Sequence, residues 1–282
     1  MGGGALLGGE TAVTGGTRHE SHQEGQIPVQ DVIRQLDRLL EQNRADEAEA
    51  HLEAWLERAA EMGDWRARLT ILNELMGFHR SSGKKEKGLS ASAEGIRLVR
   101  DHGMERTVTG GTTFLNAATT MKAFGVTEKA LPYYGEAERI FNRLLEPGDY
   151  RFAGLYNNLA LAWTDMGQYE KAESYYRRAM AVLKELPGSE MELAVTWVNL
   201  ACLYEKKETD LFRREERTGD CLNRALACLD GPDCKRDGYY AFTCTKCAPT
   251  FGHFGYFLAE RELKRRAEAI YGGICHEQHE GA

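Results

Sequence analysis

The sequence contains no long apolar run and very little proline. None of its 282 residues lies in an unbroken run of 18 apolar residues, so no membrane-spanning helix is expected. Only six residues are proline, and many of the thirty glycines fall within the first 25 positions. The remainder is rich in Ala, Leu, Glu, Arg and Tyr, a composition that favours helix.

The chain also lacks an excess of positive charge. Its formal net charge is −7 at pH 7, and no basic cluster is dense enough to follow a phosphate backbone. We therefore expect neither a nucleic-acid partner nor a membrane partner.

Cysteine is absent from the first 201 positions, and all seven cysteines lie between Cys202 and Cys275. An odd number of cysteines without a secretory signal is typical of a protein kept in a reducing compartment. The predicted localisation is therefore cytoplasmic.

Signatures of catalysis are missing as well. There is no G-x-S-x-G nucleophile elbow and no H-E-x-x-H zinc motif. Gly110 and Gly111 are expected in a loop before a helix, but no lysine or strand accompanies them as a phosphate-binding loop requires. We therefore expect a protein that is not an enzyme and that needs no cofactor.

The two ends of the sequence are expected to lie outside the folded domain, which is predicted to span residues 27–272. Residues 1–26 combine glycines with polar residues and cannot bury enough apolar surface to become ordered. Residues 273–282 are expected to form a frayed C-terminal tail.

A repeat dominates the rest of the sequence. The stretch Gly154–Ala181 has the pattern of two short amphipathic helices joined by a turn at Gly167. Shifting this stretch by about 42 residues in either direction aligns it with further copies. The predicted repeats lie near residues 29–68, 69–110, 111–152, 153–193 and 194–230, with an atypical capping unit at 236–272. One helix pair cannot bury its apolar stripe alone, so the copies are expected to stack.

The best-preserved copy carries small and aromatic residues in a fixed order. They are Tyr156, Leu159, Ala160, Trp163, Gly167, Ala172, Tyr176 and Ala179. This pattern resembles the tetratricopeptide repeat, in which aromatic and small residues alternate at these spacings. The family's repeat is usually about 34 residues long. The longer period found here is similar to that of kinesin light chain.

The resemblance implies an all-α fold, a right-handed α-solenoid of five to six antiparallel helix pairs. Longer second helices, and no added domain, are expected to account for the longer period. The charged segment Glu205–Arg217 is expected to be a solvated loop or a helix extension. Residues 249–255 combine Pro249 with glycines and aromatic residues, so we expect an irregular link between the two helices of the cap.

The resemblance also implies a function. In the family, the first helices of the pairs line a concave surface that commonly binds an extended peptide. One position in each first helix faces that surface, and here it carries Asn116, Asn158 and Asn199. An amide side chain both donates and accepts hydrogen bonds, so it can bind a peptide backbone of any sequence. The neighbours expected on the same face are Asn157, Lys122, Leu161, Asp165 and Arg80.

The predicted function is therefore a non-catalytic scaffold or adaptor that binds a protein or peptide partner. The sequence does not determine which partner it binds or how many copies of the chain associate.

Two alternatives stay open. Cys228, Cys234, Cys244 and Cys247 could form a zinc or redox module in the cap, although their spacing is irregular for zinc and they could equally be buried apolar residues. The second alternative is a peptide-sensing regulator, since bacterial proteins of that kind pair such a solenoid with a DNA-binding domain. No DNA-binding domain is expected before residue 29, so a regulator of this form would act on a protein.

Overall fold

A computed structural model of the chain describes residues 26–42, 44–232 and 234–277, with side chains up to residue 272 except that of Glu41. Within these ranges the regular structure consists of twelve helices and no strand. The predicted all-α fold is therefore confirmed. The predicted N-terminal tail up to residue 25 and the last five residues of the predicted C-terminal tail lie outside the described residues.

The chain divides into two compact units at residues 145 and 146. The first unit contains α1 (Val29–Glu41), α2 (Ala45–Glu61), α3 (Trp65–Ser81), α4 (Lys85–Asp101), α5 (Val108–Ala123) and α6 (Thr127–Leu144). Each odd-numbered helix packs against the even-numbered helix that follows it, and α3 also packs against α5. The unit is thus a stack of three helix pairs.

The second unit has the same organisation. It contains α7 (Arg151–Asp165), α8 (Tyr169–Lys184), α9 (Glu190–Lys207), α10 (Leu211–Leu229), α11 (Gly238–His253) and α12 (Phe257–Glu277). Helix α9 packs against its own partner α10 and against α8 and α11 of the neighbouring pairs. The first helices therefore lie next to one another within the unit.

Tight turns at glycine join the two helices of a pair. Gly167 has a φ of 69°, a left-handed conformation that only glycine adopts without strain. Its N–H donates to the carbonyl oxygen of Thr164 (3.0 Å), and the N–H of Gln168 donates to that of Trp163 (2.8 Å). These bonds close the end of α7 and reverse the chain.

Small residues on the second helices form the contacts between helices. The buried residues of α8 recur every three or four positions, as one face of a helix requires. They are Ala172, Glu173, Tyr176, Ala179, Met180, Val182 and Leu183. Ala172 and Tyr176 are both fully buried, so the small side chain permits close approach and the aromatic ring fills the remaining space.

The structure corrects the prediction for residues 110 and 111. Gly110 and Gly111 lie within α5, which begins at Val108 because the side chain of Thr107 accepts the N–H of Gly110 (3.1 Å). A β-carbon on Gly111 would lie 2.7 Å from the ring of Phe141. Gly111 is therefore explained by the close contact of α5 with α6.

The irregular link predicted at residues 249–255 is also wrong. Helix α11 continues through Pro249 to His253, and only Gly255, with a φ of 82°, forms the turn. Phe251 is fully buried, and its packing keeps this last turn helical despite the proline. The charged segment Glu205–Arg217 proves to be helix extension, since only residues 208–210 separate α9 from α10.

No helix in the described part of the chain is both long enough and apolar enough to cross a bilayer.

Candidate functional site

In the first unit, the predicted asparagine of α5 is bound to the neighbouring helix. The amide nitrogen of Asn116 donates to Oδ1 of Asn73 in α3 (2.9 Å). Asn73 in turn donates to the carbonyl oxygen of Leu69 (2.9 Å) and to Oγ1 of Thr113 (3.0 Å). Both ends of the Asn73 amide are therefore used, and this asparagine pair joins α3 to α5.

The second unit repeats part of this arrangement. Asn157 occupies in α7 the repeat position that Asn73 occupies in α3. Its amide nitrogen donates to Oγ1 of Thr196 in α9 (2.9 Å). The Thr196 hydroxyl donates onward to the carbonyl oxygen of Glu192 (2.7 Å). The Asn–Thr bond between adjacent first helices thus recurs at equivalent positions.

The asparagine–asparagine bond does not recur. Asn199 in α9 is the equivalent of Asn116, yet Nδ2 of Asn199 and Oδ1 of Asn157 are both buried without a hydrogen-bond partner among the described residues. Oδ1 of Asn158 is in the same condition, while its amide nitrogen donates to the carbonyl oxygen of Gly154 (2.9 Å). Each such buried polar atom destabilises the fold by about 1–3 kcal/mol.

These three asparagines differ in how closely they approach the surface. Asn157 and Asn158 are 5% and 4% exposed, whereas Asn199 is half-buried. Leu161 is half-buried and Asp165 is exposed at the end of α7. In the second unit, Asn199 is thus more exposed as a residue than Asn157 and Asn158, although its Nδ2 atom is itself buried.

The basic residues predicted for the site belong to the first unit. Lys122 is buried. Arg80 is half-buried at the end of α3, and its Nε and Nη1 atoms are buried without a hydrogen-bond partner among the described residues. Burial lowers the pKa of Arg80, although its guanidinium stays charged at neutral pH. Such a group can donate two parallel hydrogen bonds to the oxygens of a carboxylate.

The structure adds residues that the repeat pattern did not indicate. Glu192 lies two helical turns before Asn199 on α9, and its Oε1 accepts the hydroxyl of Tyr239 in α11 (3.0 Å). Oε2 of Glu192 is buried without a hydrogen-bond partner in the described ranges. Burial, followed by the charge of Glu192, raises the pKa of Tyr239. This pair places a carboxylate oxygen on α9 two helical turns from Asn199.

Aromatic and basic side chains of α11 adjoin this Glu192–Tyr239 pair. The ring of Phe242 stacks on Tyr239 with centroids 6.3 Å apart, and Nζ of Lys246 lies 5.3 Å from the Phe242 ring centroid. Lys246 is nine residues before Gly255, as Asn158 is nine residues before Gly167. Aligning the cap on its turn glycine could therefore have identified Lys246 from the sequence.

The cysteines of the cap do not form a ligand cluster. Cys234, Cys244 and Cys247 are buried and Cys228 is half-buried. Burial raises the pKa of each thiol, that of Cys247 to about 12. No three of these sulfurs lie close enough together to share a metal in the part of the chain that the structure describes. They are neutral thiols packed in the core.

The resemblance found in the sequence is confirmed by comparison with known proteins. Residues 151–210, which contain α7, α8 and α9, match the family model described as tetratricopeptide repeat. This stretch is similar to the tetratricopeptide repeat family. Among curated proteins, none matches the chain in sequence.

Several solved structures are similar to this chain in fold. A kinesin light chain-like repeat protein from Podosopora anserina aligns with a TM-score of 0.50 and 15% identity, covering 72% of this chain and 94% of its own. NprR in complex with its cognate peptide NprX aligns with a TM-score of 0.57 and 15% identity, covering 85% of this chain and 66% of its own. The apo form of the quorum sensor NprR from B. thuringiensis gives a TM-score of 0.54 and 15% identity, covering 86% and 64%. At these identities the likeness establishes the fold alone.

Proposed function

We propose that this tetratricopeptide repeat protein is a non-catalytic scaffold that binds an extended peptide segment on the α7–α9–α11 face of its second unit. The observation that carries this proposal is the set of unpartnered amide atoms on Asn157, Asn158 and Asn199. A fold does not keep such atoms buried and unpaired without a reason, since water or a ligand usually satisfies them.

The chemistry of these atoms fits a peptide backbone. An extended backbone presents N–H donors and C=O acceptors in alternation. Nδ2 of Asn199 can donate to a peptide carbonyl, and the oxygens of Asn157 and Asn158 can accept peptide N–H groups. The atoms are buried, so binding requires side-chain rotation, which is common at peptide interfaces.

Residues around the asparagines would select side chains of the partner. Leu161 offers an apolar contact at the end of α7, and Asp165 offers a negative charge. On α11, Phe242 and Lys246 offer an aromatic face and a positive charge. A peptide with an apolar residue, a basic residue against Asp165 and an acidic residue against Lys246 suits this surface best.

Asn116 is proposed to have a different role from the other two. Its bond to Asn73 fixes α5 against α3. In the described part of the first unit, these two amides are therefore not available to a peptide backbone as Asn157 and Asn199 are. Arg80 and Lys122 would contribute an independent site for a carboxylate in that unit.

The likeness to NprR supports a peptide as the partner, because one of the aligned structures holds NprR with its cognate peptide. We place the protein in the cytoplasm, an inference supported by the free, buried thiols of the second unit.

The proposal is tested with a peptide selected from a randomised library on the full-length protein. Replacing Asn199 by Ala is expected to weaken its binding by about tenfold, equivalent to about 1.4 kcal/mol. The matched control is Asn116→Ala, which is expected to change affinity less than Asn199→Ala because Asn116 is already occupied. Fluorescence anisotropy gives the affinities, and thermal melting checks that each variant is folded. Equal affinity of the wild type and the Asn199 variant for the peptide would contradict the proposal.

A further inference from the structure

A cluster of metal-binding side chains lies in the first unit, away from the asparagine pair. Glu49 and Glu53 lie one turn apart on α2, and His79 lies on α3. One ligand atom from each of the three lies within 4.8 Å of the others. Glu49 and His79 are 7% and 3% exposed, whereas Glu53 is exposed.

His79 has a nitrogen that the fold leaves unused. Its Nδ1 atom is buried without a hydrogen-bond partner among the described residues. It points at the cluster, because the same Nδ1 lies 3.7 Å from Oε1 of Glu49. A buried imidazole nitrogen beside two carboxylates is a ligand set for a transition metal.

The equivalent position in the second unit has the same kind of buried glutamate but no histidine nitrogen beside it. Glu173 follows Ala172 as Glu49 follows Ala48, and Tyr204 occupies the repeat position of His79. There the hydroxyl of Tyr204 donates to Glu173 (3.0 Å), and Nζ of Lys207 also donates to Glu173 (2.6 Å). Of these two repeats, the one that contains His79 is therefore the one with an unpartnered ring nitrogen.

Two lysines now hold the position that a metal would take. Nζ of Lys87 lies 2.8 Å from Oε1 of Glu49 and 2.7 Å from Oε1 of Glu53, and Lys84 binds the other oxygen of Glu49. Both lysines are on long flexible chains, and the side chains of Lys84 and Lys87 are 37% and 51% exposed. Two ammonium groups and one divalent ion carry equal charge, so the exchange leaves the net charge of the site unchanged.

We propose that Glu49, Glu53 and His79 form a binding site for one divalent transition-metal ion, for which Zn²⁺ is the best fit. Zn²⁺ binds imidazole nitrogen at about 2.0–2.1 Å and carboxylate oxygen at about 2.0–2.2 Å, so the three ligand atoms close inwards around it. Water completes the coordination, and Lys84 and Lys87 swing out into solvent. The hard ion Mg²⁺ is rejected because it prefers oxygen ligands alone.

The test is a Zn²⁺ titration of the full-length protein by calorimetry, with Co²⁺ absorption as a spectroscopic readout. The wild type is expected to bind one Zn²⁺ that Glu53→Gln and His79→Tyr lose. His79→Tyr imitates the Tyr204 copy and should stay folded. Glu53 is exposed, so its variant carries the test even if the tyrosine variant does not fold. His102→Gln, an exposed histidine of the same unit, is the control and should keep the ion.

A further variant separates a metal site from a lysine-capped structural cluster. Lys87→Met removes the competing ammonium and is expected to tighten Zn²⁺ binding by about tenfold. Addition of Mg²⁺ should leave every variant unchanged. The proposal is overturned if the wild type and the Glu53 and His79 variants bind the same number of Zn²⁺ ions with equal affinity, or if Lys87→Met binds Zn²⁺ no more tightly.

Discussion

At the scale of single residues, buried carboxylates connect successive helix pairs. Glu173 is 5% exposed, and it accepts hydrogen bonds from Tyr204 and Lys207 of the next pair and from Arg177 of its own helix. Burial alone would raise the pKa of Glu173, but the bonds from Lys207 and Tyr204 outweigh it and hold the pKa below its usual 4.5. The ionised carboxylate therefore stabilises the folded state.

This arrangement predicts a pH-dependent effect of Glu173→Gln. At pH 7 the variant should lose about 1.5–3 kcal/mol of unfolding free energy, because hydrogen bonds to a charged group are removed. A folded pKa below the unfolded one stabilises above pH 4.5 and ceases to do so as the pH falls through the folded value. Urea unfolding at pH 7 and at successively lower pH should show the two proteins converging.

Glu170→Gln is the matched control, since the Glu170 side chain is 83% exposed. Its effect should stay within about 0.5 kcal/mol at every pH. A difference between wild type and Glu173→Gln that does not change with pH would show that the charge of Glu173 is not what stabilises this contact.

Single residues were also the least predictable part of the candidate site. The repeat spacing placed Asn158 and Asn199 at equivalent positions, but it could not show which amides are already bonded. Whether Asn73 reaches Asn116, or Asn157 reaches Asn199, depends on shifts between helices that a sequence pattern does not record. Glu192 and Tyr239 were missed for the same reason, since their bond joins positions 47 residues apart.

At the scale of helices, the turn glycines and the helical glycines have opposite roles. Gly167 has a φ of 69°, and a β-carbon added there would meet no other atom within 4 Å. Gly135 also faces open space, but it lies within α6. Replacing Gly167 by Ala should therefore destabilise the protein by about 1–2 kcal/mol, because only the backbone conformation resists the methyl group.

The companion substitution Gly135→Ala should stabilise the protein by about 0.5–1 kcal/mol, because alanine restricts the unfolded chain and favours helix. Thermal melting of the two variants measures the contrast directly. Shifts of the same sign at both positions would contradict this assignment of roles.

Some helix boundaries followed from the sequence and others did not. The turn at Gly167 was predicted correctly because its left-handed backbone needs glycine. The break predicted at Pro249 was wrong, because local propensity is weaker than the burial of Phe251 in the core. Tertiary packing of this kind is not visible in a single sequence.

At the scale of the whole molecule, the repeat period predicted the fold class and the family resemblance. Both are supported by helix pairs in each of the two units and by the family match over residues 151–210. The period could not show that the chain divides at residues 145 and 146. Nor could it show that Asn116 is hydrogen-bonded to Asn73 in the first unit, whereas Asn199 and Asn157 of the second unit are not hydrogen-bonded to each other.

The central claim is that the α7–α9–α11 face of the second unit binds an extended peptide. Amide hydrogen exchange of the full-length protein, with and without a library-selected peptide, tests it most directly. We expect bound peptide to slow exchange in α7, α9 and α11 while α3 and α5 stay unchanged, because the unpartnered asparagine amides of the described residues all lie in the second unit. Protection confined to α3 and α5, or none in α9, would contradict the account.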